Sequence, residues 1–362
     1  MTRRVLMLTS GGLENGGGIG RMIGYLLDEC RRIAFPVAFT VLDTRGPGAW
    51  SLWPYYFSRA MLTVLRAAPS RPVLHIHIAG RGSTLRKFLA VVFGRCLRLP
   101  IILHVHDYDY QAFCESLPAP LVTLIRWMFR RACRVIVLGD AAKTVVTGFL
   151  GVDPTRVRVL ANAVPAPPAM TRDPIPSAEP VHILFLGQLS RRKGVHDLLE
   201  ALDRPALRRL AWTATLAGGG PHNESFAAQA AATGVAARIT LPGWLDREGT
   251  TQLLQTADIL VLPSYAEGLA MSVLEGMAYG ICVICTPVGA LPEAITHDAD
   301  GLLVQPGDID ALATALADCV ASAPLRQRLG QAAAIRFSRE FDIRSYPSRL
   351  AALYREIGIM AP

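Results

Sequence analysis

Short β-branched runs that alternate with longer amphipathic stretches constrain this chain most. Neighbouring parallel strands need a long crossover between them, and a helix normally fills that interval. In the first half the runs are Val5–Thr9, Val37–Leu42, Val73–Ile78, Ile101–His106 and Val135–Leu138. In the second half they are His182–Leu186, Trp212–Ala217, Ala237–Leu241, Ile259–Pro263, Val283–Cys285 and Leu302–Val304. Between the two sets lies Pro165–Pro180, six prolines in sixteen residues, which reads as a stiff linker. The expected class is α/β with two Rossmann-like, doubly wound domains: residues 1–164, a linker 165–180, residues 181–340 and a terminal helix in 341–362. Ligands of such sheets bind beyond the carboxyl ends of the strands, so two of them should face a cleft that holds the site.

Size and composition agree. A chain of 362 residues, 51% hydrophobic, carries enough apolar material for two cores. No run of about 18 apolar residues is free of Gly, Pro or charge, and Val5–Leu8 behind Arg3 and Arg4 is too short for the apolar core of a signal peptide. Seven cysteines, an odd number in apolar contexts, do not make a disulfide framework and fit a reducing cytoplasm. The charge is uneven. Residues 1–165 hold 21 Lys and Arg against 9 Asp and Glu, a net +12, whereas residues 166–362 hold 16 against 20, a net −4. A basic half suits an anionic surface or ligand, although solvated arginines explain part of the excess. No recognisable nucleic-acid module is present, so nucleic acid is not an expected partner.

Two glycine-bearing turns come next. The first strand runs into Gly11, Gly12, Gly16, Gly17, Gly18 and Gly20 before a helix-like Met22–Cys30, a turn that lets backbone N–H groups approach phosphate. Gly18-x-Gly20 with Asp43 at the end of the second strand also admits a nicotinamide-dinucleotide reading, and a purely structural loop is a third. In the second half, Glu267-Gly-Leu-Ala-Met-Ser-Val-Leu-Glu275 follows a strand and continues as a helix. This aims the N–H groups of Gly268, Leu269, Ala270, Met271 and Ser272 at an anion, with Glu275 placed to reach a ribose. Gly187-Gln-Leu-Ser-Arg-Arg-Lys-Gly194 follows another strand and brings Arg191, Arg192 and Lys193 to the same edge, a cation set suited to a pyrophosphate leaving group.

With these motifs, the chain resembles glycosyltransferase family 4 (group 1), whose signature is a Glu, seven residues and a second Glu. The resemblance extends to Val159–Val164, Val288-Gly-Ala-Leu-Pro-Glu293 and Asp300-Gly-Leu-Leu-Val304, and Leu74–Lys87 is similar to a subgroup that builds bacterial exopolysaccharides. It implies a GT-B fold whose terminal helix crosses back to the first domain. It also implies a retaining, metal-independent hexosyltransferase using a UDP-sugar or GDP-mannose. Glu267 then binds hydroxyls of the transferred sugar, Glu275 the ribose, and Lys193 the diphosphate. The family's usual Arg stands here as Gln188, which leaves the charge to Arg191 or Arg192. Gly17 and Gly18 belong to the donor side, and His106 to the acceptor side near the reacting sugar. The implied acceptor is a saccharide, linked to polyprenyl diphosphate at the inner face of the plasma membrane. Two alternatives share the architecture: a nucleotide-sugar 2-epimerase and a noncatalytic nucleotide-sugar binder.

Other candidates carry competing readings. The Asp-x-Asp triplets at Asp107–Asp109, Asp298–Asp300 and Asp308–Asp310 stand outside a donor-loop context, and no metal or cofactor is expected. His75-x-His77 and His104-x-His106 could suggest a metal cluster, with core or cleft-edge histidines favoured. Cys282 and Cys285 have redox spacing in an apolar strand, where buried thiols are expected. Trp244 is assigned either to the nucleotide base or to the core. Ser83, Arg86, Lys87, Arg126 and Arg130 are weak candidates for the acceptor or an anionic membrane. The apolar helical face Leu121, Leu124, Ile125, Met128 and Phe129 fits either a membrane surface or packing on its own sheet.

Overall fold

In a computed structural model, which describes residues 4–13, 17–48, 50–107, 109–167 and 180–359, the chain divides into two compact units. The first is Met1–Ala163 with Ile343–Pro362, and the second is Val164–Asp342. Residues 168–179 of the expected linker lie outside the described residues. Among the described residues no helix is long and apolar enough to cross a membrane.

The first unit is built on six parallel strands: β1 (Arg4–Thr9), β2 (Ala38–Asp43), β3 (Val73–Ile78), β4 (Ile101–Val105), β5 (Arg134–Val137) and β6 (Val157–Val159). Their order is β2-β1-β3-β4-β5-β6. The second unit repeats the plan with β7 (Val181–Leu186), β8 (Trp212–Ala217), β9 (Ile239–Gly243), β10 (Ile259–Leu262), β11 (Cys282–Cys285) and β12 (Leu302–Leu303), in the order β12-β11-β10-β7-β8-β9. β6 escaped the sequence reading because it is three residues long and carries Arg158 at its centre. β9 starts two residues later than expected because Ala236–Arg238 close a short 3-10 turn.

Strand alternation sends successive side chains to opposite faces of the first sheet. One face, with Leu6, Leu8, Leu74, Ile76, Ile78, Leu103 and Val105, joins the core under helices Trp53–Ala67, Arg81–Cys96 and Ala119–Arg130. The register Met7↔His75 and His77↔His104 puts four histidines on the other face. They form a two-by-two array. His75 and His77 stack along β3 with ring centroids 4.7 Å apart, and the His104 and His106 rings lie 4.1 Å apart, tilted by 31°. Edge-on contacts cross between the pairs, His75 Nε2 to His104 Nδ1 at 3.3 Å and His77 Nδ1 to His106 Nε2 at 2.9 Å. The terminal helix Tyr346–Glu356 returns to this unit and packs beside helix Gly18–Arg32. There the Tyr354 hydroxyl lies 2.9 Å from His75 Nδ1, and Glu356 pairs with Arg158 at 2.8 Å.

Taking imidazolium out of water is costly, so burial holds these rings neutral. It lowers His75 and His106 to about 3 and pushes His77 and His104 well below the ordinary 6.5. Below pH 6.5 the unfolded chain binds protons that the folded array does not, so stability is full above that value and is lost as pH falls toward 3. Each histidine withdraws about 1.4 kcal/mol per pH unit inside the window. The expected outcome is an unfolding midpoint that falls steeply on acidification from pH 6.5, and calorimetric Tm against pH checks it. A flat profile over that range would mean that the rings titrate freely.

Candidate functional site

The strand order of the second sheet reverses between β7 and β10, and in doubly wound sheets the loops beside such a reversal form the ligand crevice. Both loops carry the charged motif residues. After β7, Arg191–Lys193 make a 3-10 turn whose start is capped by Ser190. Gly194 follows at φ 68°, where any Cβ would overlap the Pro263 carbonyl. Across from it, the Tyr265 N–H donates to the Arg192 carbonyl at 2.8 Å. The loop after β11 braces the other side. Gly289, at φ 60°, presses on the Glu267 and Gly268 carbonyls, and the Ala290 N–H donates to the Gly268 carbonyl at 2.7 Å. Glycine is needed at 194 and 289 for the positive φ and for the close backbone approach.

This bracing sets the charges. Lys193 Nζ lies 2.5 Å and Arg192 Nη1 3.3 Å from Glu267 Oε1, and Arg192 also donates to the Ala266 carbonyl at 2.7 Å. The side chains of Lys193 and Glu267 are only 12% and 8% exposed. Burial lowers the Lys193 pKa, opposed by the Glu267 charge and hydrogen bond, while Arg192 adds to the lowering. Helix Met271–Ala278 begins just beyond Glu267-Gly268-Leu269, with Ala270 as its N-cap and no acidic residue in its first turn. First-turn amides have no carbonyl partner within the helix, so this end attracts an anion. Ser272 and Glu275 are both buried along it. Gln188 and Arg191 are exposed. Trp244 is 64% exposed and lies against Gly219, where a Cβ would overlap its indole. The core reading of Trp244 therefore falls.

In the first unit Gly17 caps helix Gly18–Arg32, while Gly16 lies outside the described residues. Asp43 Oδ1 accepts from the N–H groups of Gly11 and Arg45, each at 2.8 Å. The carboxylate that the dinucleotide reading assigned to a ribose thus ties down the loop after β1. His106 directly follows β4, its N–H donating to the Ile78 carbonyl at 2.9 Å. Ser83, Arg86 and Lys87 correct the sequence reading: they are 6%, 4% and 0% exposed and unavailable to a membrane. Arg86 Nη2 donates to Ser10 Oγ at 3.3 Å and Lys87 Nζ to Thr44 Oγ1 at 2.7 Å. These three continue the buried stripe of Ala90, Val91 and Gly94 on the same helix, a 3/4 spacing readable in sequence.

Helix Ala119–Arg130 divides its apolar face. Ile125, Met128 and Phe129 are buried in the core, as in the packing reading, but Leu121 and Leu124 are each 45% exposed. They border a cavity of about 810 Å³, lined also by Leu85, Phe88, Phe113 and Asp107, which sequence reasoning missed because it forms between three helices. Arg126 lies over the Phe149 ring at 5.0 Å and Arg134 pairs with Glu356 at 3.3 Å; Arg130, which donates to the Gly151 carbonyl at 3.1 Å, and Arg131, over the Trp127 ring at 5.8 Å, are exposed.

His75, His77 and His104 have ring nitrogens within 4.8 Å of one another. Imidazole lone pairs lie in the ring plane, and the His75 and His77 rings are stacked only 8° from parallel. Stacked rings point their in-plane lone pairs alongside one another, which does not favour a shared ion at a metal–nitrogen distance of about 2.0–2.1 Å. The aspartates of the later triplets are engaged: Asp298 with Arg328 at 2.6 Å, Asp300 with Arg336 at 2.9 Å, Asp308 as a helix cap and Asp310 with Arg204 at 3.1 Å. Cys282 and Cys285 are buried free thiols.

Residues 171–336 match the family Glycosyl transferases group 1, and residues 17–163 match Glycosyl transferase 4-like domain. Glycogen synthase of Mycobacterium tuberculosis is 29% identical over 231 residues, which is 63% of this chain and 55% of that relative. The fold matches sucrose-phosphate synthase of Thermosynechococcus elongatus with a TM-score of 0.80 at 18% identity, over 98% of this chain and 99% of the other. It matches Anabaena HepE in complex with UDP-glucose with a TM-score of 0.76 at 19% identity, again over 98% and 99%. One family model thus matches each unit, Glycosyl transferases group 1 the second and Glycosyl transferase 4-like domain the first, the chain spans about half the length of the glycogen synthase it matches, and its fold is the two-domain GT-B fold of these structures.

Proposed function

We propose that the chain moves a hexose from a nucleotide-diphosphate sugar, a UDP-sugar or GDP-mannose, to a saccharide acceptor with retention and without a metal. The observation that carries this is the Lys193–Glu267 pair beside the start of helix Met271–Ala278. A departing nucleoside diphosphate develops negative charge, and preorganised cations and amides stabilise it best where water is scarce. In the free protein Lys193 and Arg192 both face Glu267 Oε1. A diphosphate competes for these cations and frees that oxygen to accept from sugar hydroxyls. With Gln188 neutral, Arg192 and the exposed Arg191 make up the charge. Glu275 takes the ribose, the Gly268–Ser272 amides the phosphate and sugar, and Trp244 offers a flat face to the base. The UDP-glucose complex of HepE supports this donor class. On the acceptor side His106 positions the reacting sugar. The acceptor oxygen bonds to the anomeric carbon on the face that the phosphate leaves, and the departing phosphate oxygen takes the acceptor's proton.

The acceptor is a saccharide on polyprenyl diphosphate, used in bacterial polysaccharide synthesis on the inner face of the plasma membrane. The 810 Å³ cavity bordered by Leu85, Leu121 and Leu124 supports it, being wide and apolar enough for a lipid segment. The basic first half and the exposed Arg130 and Arg131 nearby suit anionic headgroups.

Glu275→Ala is expected to raise the nucleotide Kd with the fold intact, and Glu267→Ala chiefly to lower kcat, because a ribose contact acts alike in ground and transition states. Titration calorimetry with steady-state kinetics separates them, and equal small effects would refute the roles. Lys193→Ala should cost about 2–4 kcal/mol of transition-state stabilisation, read from kcat/KM. Chelator should leave turnover unchanged; loss on EDTA with recovery on a divalent ion would overturn the metal-free reaction. The whole chain should sediment with anionic vesicles at low salt, and Arg130→Gln with Arg131→Gln should weaken this by about 1 kcal/mol each. Absence of sedimentation would remove the membrane from the proposal.

A further inference from the structure

The histidine array contains a proton inventory that settles more than its geometry. Neutral imidazole carries one N–H and one bare nitrogen, so the hydrogen bond at one nitrogen decides the other. His77 Nδ1 and His106 Nε2 are 2.9 Å apart, and one of them donates. The second nitrogen of His77, Nε2, is buried and has no hydrogen-bond partner among the described residues. A buried N–H without a partner is rarer in proteins than a buried acceptor without one. The proton of His77 therefore belongs on Nδ1, from which it donates to His106 Nε2. That leaves the lone pair of His106 Nε2 occupied and its own proton on Nδ1. The second diagonal obeys the same rule. His104 Nε2 is likewise buried without a partner, so His104 Nδ1–H donates to His75 Nε2, and His75 Nδ1–H to the Tyr354 oxygen.

We infer that His77 is a positioning residue that holds His106 in the Nδ1–H tautomer, so that His106 meets its ligand as a hydrogen-bond donor and not as a base. This rests on the reading of His106 as a residue that faces the reacting sugar. A neutral donor suits an oxygen of the sugar or acceptor, and it leaves the acceptor's proton to the departing phosphate, the only base the proposed reaction then requires. The occupied Nε2 also fixes the ring's rotation, since turning it would break the bond to His77.

The test uses the full chain labelled with 15N-histidine. Long-range 1H–15N correlation reads the tautomer of His106, assigned by the signals lost in His106→Gln. Wild type should show Nδ1–H. In His77→Asn the amide nitrogen stands where His77 Nδ1 stood, so the tautomer and most of kcat should survive. In His77→Leu no donor remains; the ring should revert toward Nε2–H and kcat should fall on the order of 10- to 100-fold with the nucleotide Kd unchanged. An Nε2–H tautomer in wild type overturns the proposal, as does a His77→Leu protein whose tautomer and kcat are unaltered. Should His77→Leu fail to fold, wild type and His77→Asn still decide. An Nδ1–H tautomer in a chain that turns over no nucleotide sugar upholds the positioning role and refutes the transferase reading instead.

Discussion

The second unit depends on a backbone constraint: three loops at the carboxyl edge of its sheet approach so closely that side chains are excluded between them. Gly194 lies against the Pro263 carbonyl, and Gly289 against those of Glu267 and Gly268. A helix start alone would be a diffuse anion site, and three cations alone would be a solvated turn. Pressed together, they set Lys193 within 2.5 Å of Glu267 in surroundings dry enough to shift the lysine's pKa. Desolvation makes the pair costly unless its geometry is good, and the bracing supplies that geometry before any ligand arrives.

The first unit places its polar groups differently. Its loops after β1 and β2 are tied by side chains: Asp43 accepts from Gly11 and Arg45, Thr44 Oγ1 donates to the Thr9 carbonyl at 2.5 Å, and Lys87 donates to Thr44. Burial drives the Lys87 pKa well down, with Arg86 adding to it and Asp43 opposing. Basic residues that inflate the charge of this half are in part structural pins, which is why a net +12 overstates the surface available to an anion.

The strands were legible because parallel strands buried on both faces read as continuous β-branched runs; of the eleven expected runs two match at both ends, eight fall within one residue at their ends, and one is shifted by two. That Arg192, Lys193 and Glu267 come together beside a helix start was legible because loop motifs tie glycine and charge at fixed spacing. What escaped had no local signature. The 3/4 spacing of Ser83, Arg86 and Lys87 with Ala90, Val91 and Gly94 hints at a buried stripe, but their partners Ser10 and Thr44 come from the loops after β1 and β2, which no local pattern places there. Trp244 reads equally as a base-flanking or a core residue in sequence, and only its exposure and its position against Gly219 remove the core reading. The apolar face of Ala119–Arg130 is continuous in sequence, and only the helices beside it divide it into a core half and a cavity half.

The histidines show the same limit at finer grain. Alternation along β3 and β4 predicts that His75, His77, His104 and His106 share a face, and that much is periodicity. Whether four imidazoles on one face bind an ion, titrate or relay hydrogen bonds depends on ring orientation, which strand period does not encode. Here diagonal neighbours meet nitrogen to nitrogen, so the lone pairs of His75 Nε2 and His106 Nε2 are taken by other rings, while those of His77 and His104 stay buried without a partner. Burial then removes the charged form, and the terminal helix closes the array by bringing Tyr354 to His75. The helix that returns from the far end of the chain thus reaches β3 and β4 through hydrogen-bonded and stacked rings, and the proton positions on those rings follow from which nitrogens remain without partners in the interior.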